Sequence, residues 1–282
     1  MSDPVRAQYE ALPYPPRDPR DEAKRLVIGS PSNLPEIEHY VFGGTIDRTR
    51  PFRALIAGGG TGDATTMLAQ QLADARMNAE VVYLDWSQAS RKIAEARIAA
   101  RGLGNVRFVS ASLLDLPTLG LGQFDYIDCC GVLHHLEDPA EGLALLTDAL
   151  TQAGGMGLML YGRLGRRGVY DMQAVLRAVT EPEADHAARL ELARRLIVTL
   201  PATNWFARNP FLGDHRTQGD AGLADLLLHP RDRAYTVDEI QALAQGAALR
   251  IVAFTPKARY EPENMVSDVR LKVRLARLPA EQ

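Results

Sequence analysis

Gly58, Gly60 and Gly62 stand at alternate positions just after a short apolar run, Ala54 to Ala57, and just before a helical apolar spacing set by Thr65, Met67, Leu68 and Leu72. A strand that breaks into glycines and then into a helix brings bare backbone under a ligand, where a Cβ would collide. The helix start beyond it offers free N–H groups to an electron-rich group. These residues therefore predict a nucleotide-like ligand. A dinucleotide fingerprint needs a third glycine where this chain has Asp63. An acid there repels a pyrophosphate and suits a ligand with a cationic end.

Asp85 closes the next apolar run, Glu80 to Asp85, 23 residues after Gly62. That is the place where doubly wound folds put the carboxylate that grips ribose hydroxyls. Further strands are predicted at 106–110, 124–130 and 155–161, with helices over Ser87–Arg101 and Ala140–Leu150 between them. Strands alternating with helices imply a parallel sheet with its ligands at the carboxyl ends of the strands.

With these residues in place, the chain resembles the class I S-adenosylmethionine-dependent methyltransferases (type 11/12-like). The resemblance runs from Arg53 to Tyr161 and resumes near Tyr235. It rests on the glycine turn, Asp85, the Ser112 region and Gly131-Val-Leu-His-His-Leu-Glu-Asp-Pro139 after the fourth strand. It implies an α/β fold, a doubly wound, seven-stranded, mostly parallel Rossmann-like sheet with a helical insertion after strand five. It also implies S-adenosyl-L-methionine as cofactor. Gly58, Gly60, Thr61, Gly62 and Asp63 would line its methionine and ribose side, and Asp85 and Trp86 its ribose and adenine. Ser112 and Leu113 would meet the adenine edge, with Cys130, Gly131 and His135 on the pocket floor. The chain departs from the family at two places. The acid usual two residues before the first glycine is Ile56, and the usual acid after strand three is Ser112. Asp63 is the candidate to compensate for the first.

Residues 1–50 read as an N-terminal arm or cap and 51–282 as the methyltransferase domain, with a substrate-side insertion at 162–234. Within the arm, the proline-dense stretch 8–19 predicts an extended strip rather than a helix, either lying loose or covering the cleft with Tyr9 or Tyr14. In the insertion, helices are predicted over 169–179 and 183–200, and their arginines read as a solvated face or a basic patch. Aromatic and polar residues then gather in loop-like sequence, and long loops beside a rigid sheet are where substrates are held. His215, His229 and Tyr235, with Arg216 and Arg233, are the acceptor-side candidates, the first three as catalytic groups. Thr236 and Glu239 form a capping box for a helix over 235–245, and 249–254 and 266–275 are expected to supply strands six and seven.

A net charge of −3 provides no general attraction to nucleic acid, so the expected partner is a small molecule or a peptide or protein side chain. The alternatives are an RNA methyltransferase, which the local arginines permit, a nicotinamide oxidoreductase, which the missing glycine disfavours, and a non-catalytic binding module. No metal site is expected. The two cysteines, Cys129 and Cys130, are adjacent and suit reducing surroundings. With no 18-residue apolar run and no signal-like start, a cytoplasmic location without membrane contact is expected.

Overall fold

The computed structural model describes residues 3–181 and 184–278. Its first element, α1 (Pro4–Ala11), begins where Asp3 caps the backbone N–H of Val5 at 2.8 Å and Pro4 takes the first helical position. The extended strip predicted from Gln8 therefore starts only after this helix. The prolines at 13, 15, 16 and 19 keep the chain beyond α1 from continuing as an α-helix.

Next come β1 (Phe52–Ala57), α2 (Asp63–Asp74), β2 (Ala79–Leu84), α3 (Gln88–Ala100), β3 (Val106–Val109), β4 (Phe124–Cys130), α4 (Pro139–Asp148) and β5 (Leu150–Met159). The five strands form one parallel sheet in the order β3-β2-β1-β4-β5, so the order reverses between β1 and β4. A ligand crevice is expected at that switch point. Helices cover both faces, which is why β1 reads as a continuous apolar run: Ala54, Leu55, Ile56 and Ala57 are all buried. One face packs Leu55, Val82, Ile127, Leu133, Leu143 and Leu146 together, and the other packs Ala54, Ile56, Leu68, Leu72, Val81 and Tyr126.

Two-residue strands, β6 (Tyr161–Gly162) and β7 (Ala234–Tyr235), pair in parallel and bring the two ends of the insertion together. Between them lie α5 (Val169–Val179), α6 (His186–Thr199) and α7 (Gly219–Leu227). Their own core contains Val169, Leu176, Leu190, Phe206, Leu223 and Leu227, with Leu12 of the arm packed against it. The predicted helix start at 183 falls outside the described residues, and α6 begins at His186 behind its Asp185 cap.

After the insertion, α8 (Val237–Gly246) carries the expected Thr236–Glu239 capping box. The seven-strand expectation is corrected here, because the main sheet has five strands among the described residues. Residues 249–254 form no strand, and 269–275 form a helix, α9 (Val269–Leu275). Alternating Val269, Leu271 and Val273 imitate a strand in sequence. Asp268 caps the backbone N–H of Leu271 at 2.9 Å instead, and all three apolar side chains stay exposed.

Candidate active site

A cavity of about 460 Å3 opens at the carboxyl ends of β1, β2 and β4, within the size range of small-ligand sites. Eleven of the twelve residues expected to bind cofactor line it: Gly58, Gly60, Thr61, Asp63, Asp85, Trp86, Ser112, Leu113, Cys130, Gly131 and His135. Gly62 does not. Its φ is +94°, and a Cβ there would sit 2.8 Å from that of Ala94, so this glycine lets the turn pack onto α3. Gly58, with φ +84°, faces Val132, where a Cβ would meet Cγ2 at 2.2 Å.

Asp85 is held by backbone alone. One carboxylate oxygen accepts the Gly60 N–H and the other the Ser87 N–H, both at 2.8 Å. Burial raises its pKa and these N–H groups oppose that rise. The carboxylate is thus oriented beside the glycine turn without a cation paired to it among the described residues.

Asp63 was expected to serve a cationic ligand end, and the structure corrects this. Arg17 grips both its oxygens, at 2.8 and 2.6 Å, and Arg97 reaches Oδ1 at 2.6 Å. Burial pushes its pKa up, but the bonds and charge of Arg17 and then Arg97 outweigh this and hold it below the usual range. Its charge is already compensated.

The arm brings Arg17 there. Glu10 accepts the Gln88 and Ala89 N–H groups at the start of α3, Thr61 Oγ1 donates to the Pro15 carbonyl at 2.7 Å, and Glu22 pairs with Arg97 and Arg101. Tyr9 and Tyr14 consequently line the cavity.

Asp128 was not singled out in the sequence. It sits on β4 directly across from Ile56 of β1, the position where the resemblance leads one to expect an acid. Its carboxylate lines the cavity, accepts the Ser32 hydroxyl and the Cys130 N–H at 3.1 Å, and is buried without a cation paired to it among the described residues. Burial pushes its pKa up to about 6 against the pull of the Ser32 hydroxyl. Cys130 beside it has its thiol pKa raised by burial, so it stays protonated and is no nucleophile at neutral pH.

On the far side, Asp225 of α7 accepts the Tyr9 hydroxyl at 2.9 Å and the Tyr161 hydroxyl at 3.3 Å. Tyr161 is clamped between the Arg166 guanidinium, 3.8 Å from its ring centre, and the His134 ring, 3.9 Å away. Arg166 is itself paired with buried Asp232. His134 thus packs within the protein, and burial lowers its pKa to about 2.

Of the three catalytic candidates, His229 lies just behind this wall and the other two lie elsewhere. His229 is buried and stacks on His135 with ring centres 3.7 Å apart. His215 sits on a single helical turn against Phe206, outside the cavity. Tyr235 is pinned by the β6–β7 pairing and lines a separate hollow with Asp138, Arg233 and Glu239. Their loop-like, polar and aromatic surroundings in sequence are packing inside the insertion.

Ligand atoms of His135, Asp225 and His229 fall within 4.8 Å of one another, the composition of a metal triad. The geometry argues otherwise. Arg231 takes the His135 Nδ1–H on its carbonyl at 2.7 Å and donates its own N–H to His229 Nδ1 at 3.1 Å, occupying one nitrogen of each ring. The rings are stacked only 26° from parallel, so an ion in the plane of one imidazole lies well out of the plane of the other. The pair is a neutral hydrogen-bonding wall, with burial lowering the pKa of His135 to about 4 and of His229 to about 2.

Comparison with known proteins agrees with this architecture. The family model described as a methyltransferase domain matches residues 55–156, the span carrying the glycine turn, Asp85 and Asp128. An uncharacterised protein of a Synechococcus strain is 30% identical over 267 residues, 93% of this chain and 62% of that protein. PKMT2 from Rickettsia typhi has been solved in two structures, one of them in complex with AdoHcy. It is 17–18% identical with a TM-score of 0.55, over 78% of this chain and 45% of that one, and so shares the fold. Residues 55–156 of the chain are thus similar to a methyltransferase domain. The chain spans 62% of the length of its Synechococcus relative and 45% of that of PKMT2. Among the described residues no helix is long and apolar enough to cross a membrane.

Proposed function

We propose that the chain binds S-adenosyl-L-methionine in this cavity and transfers its methyl group to an acceptor entering between the N-terminal arm and the insertion. The observation that carries the reading is the Asp85 carboxylate, fixed by two backbone N–H groups where the chain turns under the cavity. Asp85 takes the ribose hydroxyls, Trp86, Ser112 and Leu113 form the adenine side, and the backbone of Gly58 and Gly60 lines the path of the chain leading to the sulfur. Asp128 pairs with the ammonium group. The bound cofactor supplies an electrophilic methyl on a sulfonium. The protein's contribution is to hold the acceptor in line and keep water out, which in intramolecular models is worth roughly 7–11 kcal/mol. Tyr9, Tyr161, Asp225 and His135 line the end of the cavity left for the acceptor.

Calorimetry against S-adenosylmethionine, S-adenosylhomocysteine and NAD tests the reading. Both sulfur ligands are expected to bind, and binding of NAD alone overturns it. Asp85→Ala is expected to weaken S-adenosylhomocysteine by roughly 1.5–3 kcal/mol, the scale of hydrogen bonds to a charged group. Unchanged affinity removes Asp85 from the site. Methyl label from S-adenosylmethionine offered to cell extract is expected on a small molecule or polypeptide, and label confined to RNA reassigns the acceptor.

A further inference from the structure

From the Tyr9–Asp225–Tyr161 cluster we infer that the methyl acceptor is a primary amine, received as an ammonium group against Asp225 and the two tyrosine hydroxyls. This rests on the methyltransferase reading above and narrows it to a substrate class.

Three parts of the chain that are far apart in sequence converge to build the cluster. Tyr9 comes from α1, Tyr161 from the start of the insertion and Asp225 from α7. All three line the same cavity as Asp85 and Asp128. Asp225 is buried, and no arginine or lysine lies within ion-pair distance of it among the described residues. The Arg166 guanidinium, whose charge acts on Asp225, is already taken by Asp232. A buried carboxylate without a counter-charge is costly, and a cationic ligand relieves that cost.

The hydroxyls point to the same chemistry. Each phenol spends its one proton on Asp225, so what it can offer a ligand is an oxygen lone pair. Two such acceptors match the N–H groups of an ammonium or amine. A carboxylate or phosphate would find no donor among them. The rings of Tyr9 and Tyr14 add aromatic surface of the kind that favours cations. At the rim, Arg231 is the only arginine or lysine lining the cavity among the described residues, and it faces Asp3 at 3.9 Å and Glu137 at 4.0 Å.

An alcohol acceptor fits poorly because it brings one O–H and no charge to an uncompensated carboxylate and two lone-pair acceptors, where an ammonium brings three N–H groups and a positive charge. The histidines at hand are weak bases, with burial keeping His135 near 4 and His229 near 2, so Asp225 is the proton acceptor. The ammonium gives one proton to Asp225, which passes it to water, and the freed lone pair is then nucleophilic without further help. That pair forms the N–CH3 bond while the electrons of the breaking C–S bond return to sulfur. The sulfonium becomes a neutral thioether and the nitrogen a methylated ammonium, so charge and atoms balance.

The test uses the full chain loaded with S-adenosylhomocysteine and three probes of equal length: n-butylammonium, n-butanol and butyrate. Binding is read by saturation-transfer NMR and ranked by titration. The wild type is expected to bind n-butylammonium at least tenfold better than either other probe. Asp225→Asn is expected to lose that preference while its S-adenosylhomocysteine affinity stays within threefold. Tyr161→Phe, which keeps the ring between Arg166 and His134, is expected to weaken the amine alone and serves if the first variant does not fold. Preference for butanol or butyrate, absence of amine binding, or amine binding unchanged in both variants overturns the inference. Failure of the wild type to bind S-adenosylhomocysteine at all defeats the methyltransferase reading instead, so the two failures are distinguishable.

Discussion

Replacing Glu22 by alanine is expected to cost the fold roughly 3–5 kcal/mol, the range for removing one partner of a buried ion pair. Glu22 and Arg97 have side chains only 3% and 1% exposed, 2.6 Å apart, and the second carboxylate oxygen pairs with Arg101. Without Glu22, the Arg97 guanidinium keeps Asp63 and the Thr61 carbonyl as partners and is left with an uncompensated donor in the interior. Denaturant unfolding of the ligand-free protein at neutral pH measures the loss. Arg20→Ala, which breaks the exposed Arg20–Asp18 pair, is the control and is expected to leave stability unchanged. A loss below about 1 kcal/mol for Glu22→Ala would mean that this ion pair does not hold the arm to α3. The effect extends to the cavity, because Arg97 also positions Asp63 and Asp63 anchors Arg17, the residue that draws the arm over the glycine turn.

That chain of contacts shows where sequence reasoning ends. The glycine turn, Asp85 and the residues after β3 and β4 are legible because each is local: a strand ends, a turn begins, and the residue type at the turn announces its use. Asp63 is equally visible, yet its role depends on Arg17 arriving from 46 residues earlier, and no periodicity reports where a proline-rich arm will run. Asp225 and Tyr9 are 216 residues apart and acquire meaning only when the insertion closes onto α1. His215 and Tyr235 fail for the opposite reason. Polar and aromatic residues without apolar period look like a ligand-binding loop, but here His215 packs on Phe206 of the insertion's small core and Tyr235 is held in the β6–β7 pairing. The missing strand at 266–275 shows local capping prevailing over alternation, Asp268 starting a helix where Val269, Leu271 and Val273 suggest a strand.

Asp128 joins both lessons and gives the second large expected effect. The family position for an acid on β1 holds Ile56, and parallel pairing sets Asp128 of β4 beside it, so an acid appears in the same place from the neighbouring strand. No linear motif could show this, because the register between strands is a property of the sheet. If Asp128 receives the ammonium of the cofactor's amino acid, Asp128→Asn will weaken S-adenosylhomocysteine about 100-fold, roughly 3 kcal/mol. It will leave 5′-methylthioadenosine, which lacks the amino acid, within about threefold, a separation that a general disturbance of the cavity does not give.

The pH dependence has a definite sign. In the free protein burial pushes the Asp128 pKa up to about 6. Pairing with a cation favours the ionised form, so the bound state has a lower pKa, and binding below pH 6 must first remove a proton. Affinity for S-adenosylhomocysteine is therefore full above about pH 7 and falls by up to about tenfold per unit as the pH drops through 6. The asparagine variant and the methylthio ligand should each lack this slope across pH 5–7.5. Equal losses for the two ligands would show that Asp128 supports the strand end and holds no cation. Undiminished affinity in the variant would place the ammonium elsewhere along the cavity.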